Sequence, residues 1–90
     1  MGKFDLGQTL ITPGARDALA AAGINPAGLL TRHHAGDWGD VSEDSRQQNE
    51  EGLMTGDTLM SVYKLSDDLK IWIITEWDRS VTTILLPEEY

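Results

Sequence analysis

The chain contains no cysteine. That excludes a disulfide framework, a thiolate zinc site and a cysteine-ligated iron–sulfur cluster. Folding therefore needs no oxidising compartment. Positive charge is also scarce. Seven Lys and Arg residues stand against fifteen Asp and Glu, a net charge of −8. Such a chain repels nucleic acid and anionic membranes unless it concentrates its few cations, so direct nucleic-acid binding is not expected. Runs of large apolar residues, such as Ile71–Ile74 and Ile84–Leu86, fall far short of the roughly 20 residues a membrane span requires. The start, Met1-Gly2-Lys3-Phe4-Asp5, lacks the apolar core of a secretory signal. The expected location is the cytoplasm, away from membranes. There is no glycine-rich phosphate loop, since Gly36-Asp37-Trp38-Gly39 has neither the spacing nor the lysine. Internal repeats and low-complexity tracts are missing too.

What is present reads as one small domain over residues 1–90. Apolar residues make up 40% of the chain and charged residues 24%, proportions of a globular protein rather than a disordered one. The negative charge is uneven. Asp37, Asp40, Glu43, Asp44, Glu50, Glu51 and Asp57 face a single base, Arg46. This segment carries six of the eight excess negative charges.

The local signals predict an α+β fold. Leu6–Ile11 reads as a short strand or an extended arm. Thr12-Pro13 and Asn25-Pro26 each pair a capping residue with a proline at the first helical position. The first helix would bury Ala15, Ala18, Leu19 and Ala22 and stop at Gly23. The second carries Leu29 and Leu30 toward Arg32-His33-His34, with Gly36 as its stop. Trp38 lies in a turn and is expected to be pinned to the core. Ser42 caps a third, polar helix, with Glu43 and Asp44 where the helix dipole favours them. It has no large apolar face to bury. Thr58–Leu65, Lys70–Trp77 and Ser80–Leu86 are rich in β-branched and aromatic residues and are joined by short turns, so they predict a three-stranded antiparallel meander. Ile71, Ile73, Thr75 and Trp77 would share one face of the middle strand, and Trp72 and Trp77 would pack into the core. The two or three helices would cover one face of the sheet.

Several constellations carry chemistry. Arg32, His33 and His34 end a helix, and Arg79, Ser80, Thr82 and Thr83 lie at a hairpin. Metal-free RNA cleavage requires a base, an acid and a cation for the phosphorane. His34 would be the base, Arg79 the phosphate clamp, and Tyr63 or Thr82 a positioning group. The plainer reading is that His34 and Arg32 offset a helix dipole and Arg79 serves its own turn. His33, His34, Asp37 and Asp40 offer nitrogen and oxygen ligands, but adjacent helical histidines point about 100° apart, so neither a metal nor another cofactor is expected. The acidic residues Asp37, Asp40, Glu43, Asp44, Glu50 and Glu51 form an interaction surface for a protein partner, or a mimic of a DNA backbone, or a solubilising face.

The chain contains His34-Ala35-Gly36-Asp37-Trp38-Gly39, Ser61-Val62-Tyr63, Trp72-Ile73-Ile74-Thr75 and the run from Asp78 through Tyr90. On these residues, from Arg32 onward, it resembles a group of short bacterial plasmid-related proteins of mobile elements, some labelled as type I restriction–modification subunits. The likeness covers about the last two-thirds of the chain and implies no known activity. A looser likeness in architecture links the chain to small barnase-, colicin- and RelE-like RNases. The leading expectation is a non-enzymatic interaction module of a mobile element, a monomer or small homo-oligomer, acting through His34 to Asp57. A small metal-independent ribonuclease or toxin is the alternative, and a DNA-mimic inhibitor of host restriction or CRISPR effectors is another.

Overall fold

The computed structural model describes residues 2–90. The order is β1 (Gln8–Ile11), α1 (Pro13–Ala22), α2 (Pro26–His34), α3 (Glu43–Thr55), β2 (Leu59–Lys64), β3 (Lys70–Thr75), β4 (Val81–Leu85) and a closing 3-10 turn, Pro87–Glu89. The class is α+β.

Each helix begins where its cap dictates. The side chains of Thr12, Asn25 and Ser42 accept from the backbone N–H of Ala15, Ala27 and Ser45. Gly23 and Gly56 end α1 and α3 in the left-handed conformation, at φ 70° and 80°. α1 buries Ala15 and Leu19, while Ala22 is exposed.

The sheet has four strands in the order β1-β4-β3-β2, not three. β2, β3 and β4 form the expected antiparallel meander. The N-terminal segment adds the fourth strand, running parallel to β4 with Gln8 opposite Val81 and Ile11 opposite Ile84. A parallel pair needs a long crossover, and here everything from α1 to β3 supplies it. The C-terminus is tied back as well. The Glu89 carboxylate accepts from Thr12 Oγ1 and from the Leu86 N–H, and that donation by Thr12 lowers its pKa.

The main hydrophobic cluster lies on one side of the sheet, while Ile74 and Leu85, 8% and 6% exposed, are buried on the other. Leu59, Ser61 and Tyr63 of β2, Ile71, Ile73 and Thr75 of β3, and Thr82 and Ile84 of β4 are all buried. They alternate with outward residues, as a pleated strand requires. Leu19 and Leu29 bring α1 and α2 onto this layer. Trp77 departs from the expected alternation. β3 stops at Thr75, and Trp77 sits in the following turn, 64% exposed. Trp72 is half-buried on the outward face. Neither tryptophan is a core residue. Trp38 is, at 4% exposure.

The third helix packs without a large apolar face. Asn49 and Gly52 are its buried residues. Gly52 lies against Leu59, where an added methyl would come within 3.1 Å of Leu59 Cδ2. Asn49 grips the outer edge of β2 at two points. Its Nδ2 donates to the Met60 carbonyl at 2.7 Å, and its Oδ1 accepts from the Met60 N–H at 3.0 Å.

Candidate functional site

The most organised polar feature is a hydrogen-bonded chain inside the protein. His33, Ser61, Thr75 and Thr82 are each 0% exposed. His33 Nδ1 is 2.5 Å from Ser61 Oγ, and Nε2 is 2.9 Å from Thr75 Oγ1. Thr75 Oγ1 is 2.7 Å from Thr82 Oγ1, which donates to the Leu6 carbonyl at 2.6 Å. That terminal carbonyl fixes every proton. Thr82 spends its hydrogen on Leu6, so it accepts from Thr75. Thr75 has then spent its own, so His33 donates from Nε2. A neutral imidazole leaves Nδ1 as acceptor, and Ser61 donates to it. Burial pushes the His33 pKa down to about 4, consistent with this neutral tautomer. The chain joins the N-terminal arm, β4, β3, α2 and β2. Among the described residues no buried side-chain polar atom lacks a partner.

Above it sits an aromatic cap. Phe4 lies edge-on to His33 at 5.2 Å and to His34 at 5.7 Å, and stacks on Trp38 at 6.0 Å. Trp38 Nε1 donates to Glu50 Oε2 at 2.7 Å.

The residues nominated for RNA cleavage are placed as follows. Arg79 adopts φ 60°, a left-handed conformation uncommon outside glycine. Its guanidinium donates to the carbonyls of Asp57 (2.6 Å), Gly52 (2.9 Å) and Glu76 (3.1 Å). It therefore closes the C-terminal end of α3, where a cation offsets the helix dipole. Tyr63 is 1% exposed and donates to the Asp37 carbonyl at 2.6 Å. Burial pushes its pKa up to about 12. Thr82 is sealed within the histidine chain. His34 is half-buried beside Gly2 and Phe4, and it borders the same Phe4 ring as Arg79. Three of the four groups are thus committed to internal partners.

The acidic segment divides in two. Asp37 accepts from Arg32 Nε at 2.8 Å and from the Gly39 N–H, and the Arg32 bond lowers its pKa. The Asp40 carboxylate accepts from the Lys64 N–H at 2.8 Å. Glu50 receives Trp38, and Glu43 pairs with Arg46, whose bond lowers the Glu43 pKa. These four hold the fold or a local pair. Asp44 and Glu51 are exposed, and their carboxylates lie outside the side-chain hydrogen bonds and ion pairs of the described residues.

His33 rather than His34 is the histidine that organises the interior, and helix spacing identifies it. Leu29 is the apolar anchor of α2, and the residue four positions later shares its face. Ser61 and Thr75 follow from strand alternation with Tyr63 and Ile73. Among the described residues, no group of three or more His, Cys, Asp or Glu side chains can hold a metal ion, and no helix is long and apolar enough to cross a membrane. Comparison with protein-family models, curated proteins and solved structures finds no match.

Proposed function

We propose that this chain is a non-enzymatic protein-interaction module whose partner engages the outward side of α3. The observation that carries this reading is the division within the acidic segment. Asp37, Asp40, Glu43 and Glu50 are held by Arg32, Lys64, Arg46 and Trp38. Asp44 and Glu51 project into solvent on a helix anchored from behind by Asn49 and Gly52. Gln47 lies between them, and Met54, 88% exposed, continues the surface. A rigid helix with bare carboxylates, amides and one flexible apolar side chain suits a basic surface with a small apolar pocket. The resemblance to short plasmid-related proteins supports placing the chain among bacterial mobile-element products acting in the cytoplasm.

The test compares the immobilised chain with an Asp44→Lys/Glu51→Lys variant. A bacterial protein retained at low salt by the first is purified and titrated against both. Its affinity should fall with salt and be lost on charge reversal, while folding is unchanged. Equal affinity for both forms would sink the reading. A partner that binds DNA and releases it on adding this chain would identify the surface as a DNA mimic. RNA cleavage by the purified chain, abolished in His34→Ala, would replace the reading with the ribonuclease.

A further inference from the structure

Helices α1 and α2 cover one face of the sheet, and the opposite face is covered only in part: Ile74 and Leu85 are 8% and 6% exposed there, while Met60, Val62 and Trp72 are half-buried. Strand alternation turns Met60 and Val62 of β2, Trp72 and Ile74 of β3, and Leu85 of β4 to that side. Leu10, 44% exposed, extends it on β1 opposite Thr83. The cover includes the C-terminal tail, where Tyr90 meets Trp72 edge-on at 5.6 Å, and the start of α3, whose Ser45 and Gln48 line a groove with Met60 and Val62. Beside the tail, a groove of about 370 Å³ has Ile74, Thr83 and Leu85 in its lining.

Glu89 of the tail also lines this groove, its carboxylate held by Thr12 and the Leu86 N–H; the strand charges on this face are arranged by end. Lys64 and Lys70 are direct cross-strand partners at one end. Like charges opposite one another weaken a ladder. Neither lies within ion-pairing distance of a carboxylate among the described residues. Glu76 continues the outward series Lys70, Trp72, Ile74 at the other end, roughly 20 Å away at strand rise. Its carboxylate likewise has no ion pair there.

An apolar face with cations at one end and an anion at the other complements itself. We infer that a second copy of this chain docks on it, forming a two-fold dimer whose two sheets pack face to face. Two symmetric arrangements exist. An axis along the strands would set lysines against lysines. An axis across the strands sets Lys64 and Lys70 of each copy against Glu76 of the other, and charge selects this one. Sheets pack about 10 Å apart, so Trp72, Met60 and Val62 of both copies would fill the space between. The inference does not rest on the reading of α3 above.

The test is sedimentation equilibrium of the full chain over rising concentration. The mass should climb from one chain to two. Lys70→Glu and Glu76→Lys should each weaken self-association by about ten-fold, because attraction becomes repulsion at both symmetric ends. Both positions are exposed, and circular dichroism checks that the fold persists. Mixing the two single variants in equal amounts should restore dimers, since the altered end of each meets its complement. The Lys70→Glu/Glu76→Lys double variant should also recover. A mass of one chain at every concentration overturns the inference. So do single variants that associate like the wild type, or a mixture no better than its components. An oligonucleotide that quenches tryptophan fluorescence while the chain stays monomeric would assign the face to nucleic acid and overturn it as well.

Discussion

Acidification should unlock the interior histidine before it reaches the carboxylates. His33 is wholly buried and neutral, with a pKa held at about 4 against 6.5 for a free histidine. Above pH 6.5 neither the folded nor the unfolded chain binds a proton here, so stability is at its plateau. Below that, the unfolded chain takes up a proton that the folded chain refuses. Stability therefore falls as pH drops, by up to about 1.4 kcal/mol per unit. The loss is complete near pH 4, at about 3 kcal/mol. A chain of this length has roughly 5–13 kcal/mol in total, so the effect is a large share. Protonation would also turn Nδ1 into a donor facing the Ser61 hydroxyl, which must then reverse. The carboxylates act later. Asp37, held low by Arg32, and Glu89, held low by Thr12, begin to contribute only as pH falls through their ordinary values of 3.8 and 4.5. The assay is urea unfolding followed by tryptophan fluorescence at intervals from pH 7 to pH 4. With a slope of roughly 1–3 kcal/mol per molar urea, the midpoint should drop by about 1–3 M. His33→Gln can still donate to Thr75 and accept from Ser61 but does not titrate, so its midpoint should stay nearly flat until the carboxylates respond. A flat wild-type midpoint, or an equal slope in the variant, would refute the reasoning. Proton resonances of the His33 ring give an independent reading, and a midpoint near 6.5 would refute it too.

Two backbone devices make further predictions. Asn49→Ala removes both bonds to Met60, which should cost about 2–3 kcal/mol and open the β2 edge. Urea unfolding and light scattering on warming should show lower stability and faster aggregation, and unchanged values for both would contradict the role given to Asn49. Gly39 sits at φ 75° with the Val62 carbonyl where a side chain would begin, so Gly39→Ala should lose more than about 3 kcal/mol. Gly28, inside α2 with nothing within 4 Å, gives the opposite sign. Gly28→Ala should gain about 0.5–1 kcal/mol, and equal effects at both positions would refute the distinction.

What the sequence made legible was local. Thr12-Pro13, Asn25-Pro26 and Ser42 start helices because capping and a preset φ act within one turn. The three C-terminal strands declare themselves by composition and short turns. The fourth strand could not be placed, because Gln8 pairs opposite Val81 and no local pattern encodes a partner so distant. Hydrophobic periodicity also missed how α3 packs, since an asparagine and a glycine hold it. Alternation carried two residues too far places Trp77 inside, whereas β3 ends at Thr75 and the chain turns. The ribonuclease reading of Arg79, Tyr63 and Thr82 follows from residue types that serve two purposes. A guanidinium suited to a phosphate is equally suited to three carbonyls at a helix end, and a hydroxyl that can position substrate can also relay a buried hydrogen bond.

The two sheet edges explain why any association should use the outer face rather than strand addition. Along β2, every backbone group from Met60 to Val62 that faces away from β3 has a partner. Asn49 takes Met60, while the Trp38 carbonyl and the Asp40 N–H take Val62. The Asp40 carboxylate then covers the Lys64 N–H. Tyr63 and Arg32 hold the 37–40 segment in place, through the Asp37 carbonyl and the Asp37 carboxylate. From Met60 to Val62 that edge has nothing left for an incoming strand. The β1 edge is open but short. The N–H groups of Gln8 and Thr12 point to β4, so by alternation only Thr9 and Ile11 face outward, and Pro13 turns the chain into α1. Two residues make a poor template for a ladder, whereas the outer face offers several large apolar side chains at once. Self-association through that face should therefore survive Thr9→Pro, which blocks strand addition at β1, and respond to Val62→Glu, which charges the face. Sedimentation of the two variants separates the routes: dimers lost in Thr9→Pro and kept in Val62→Glu would move the contact to the β1 edge.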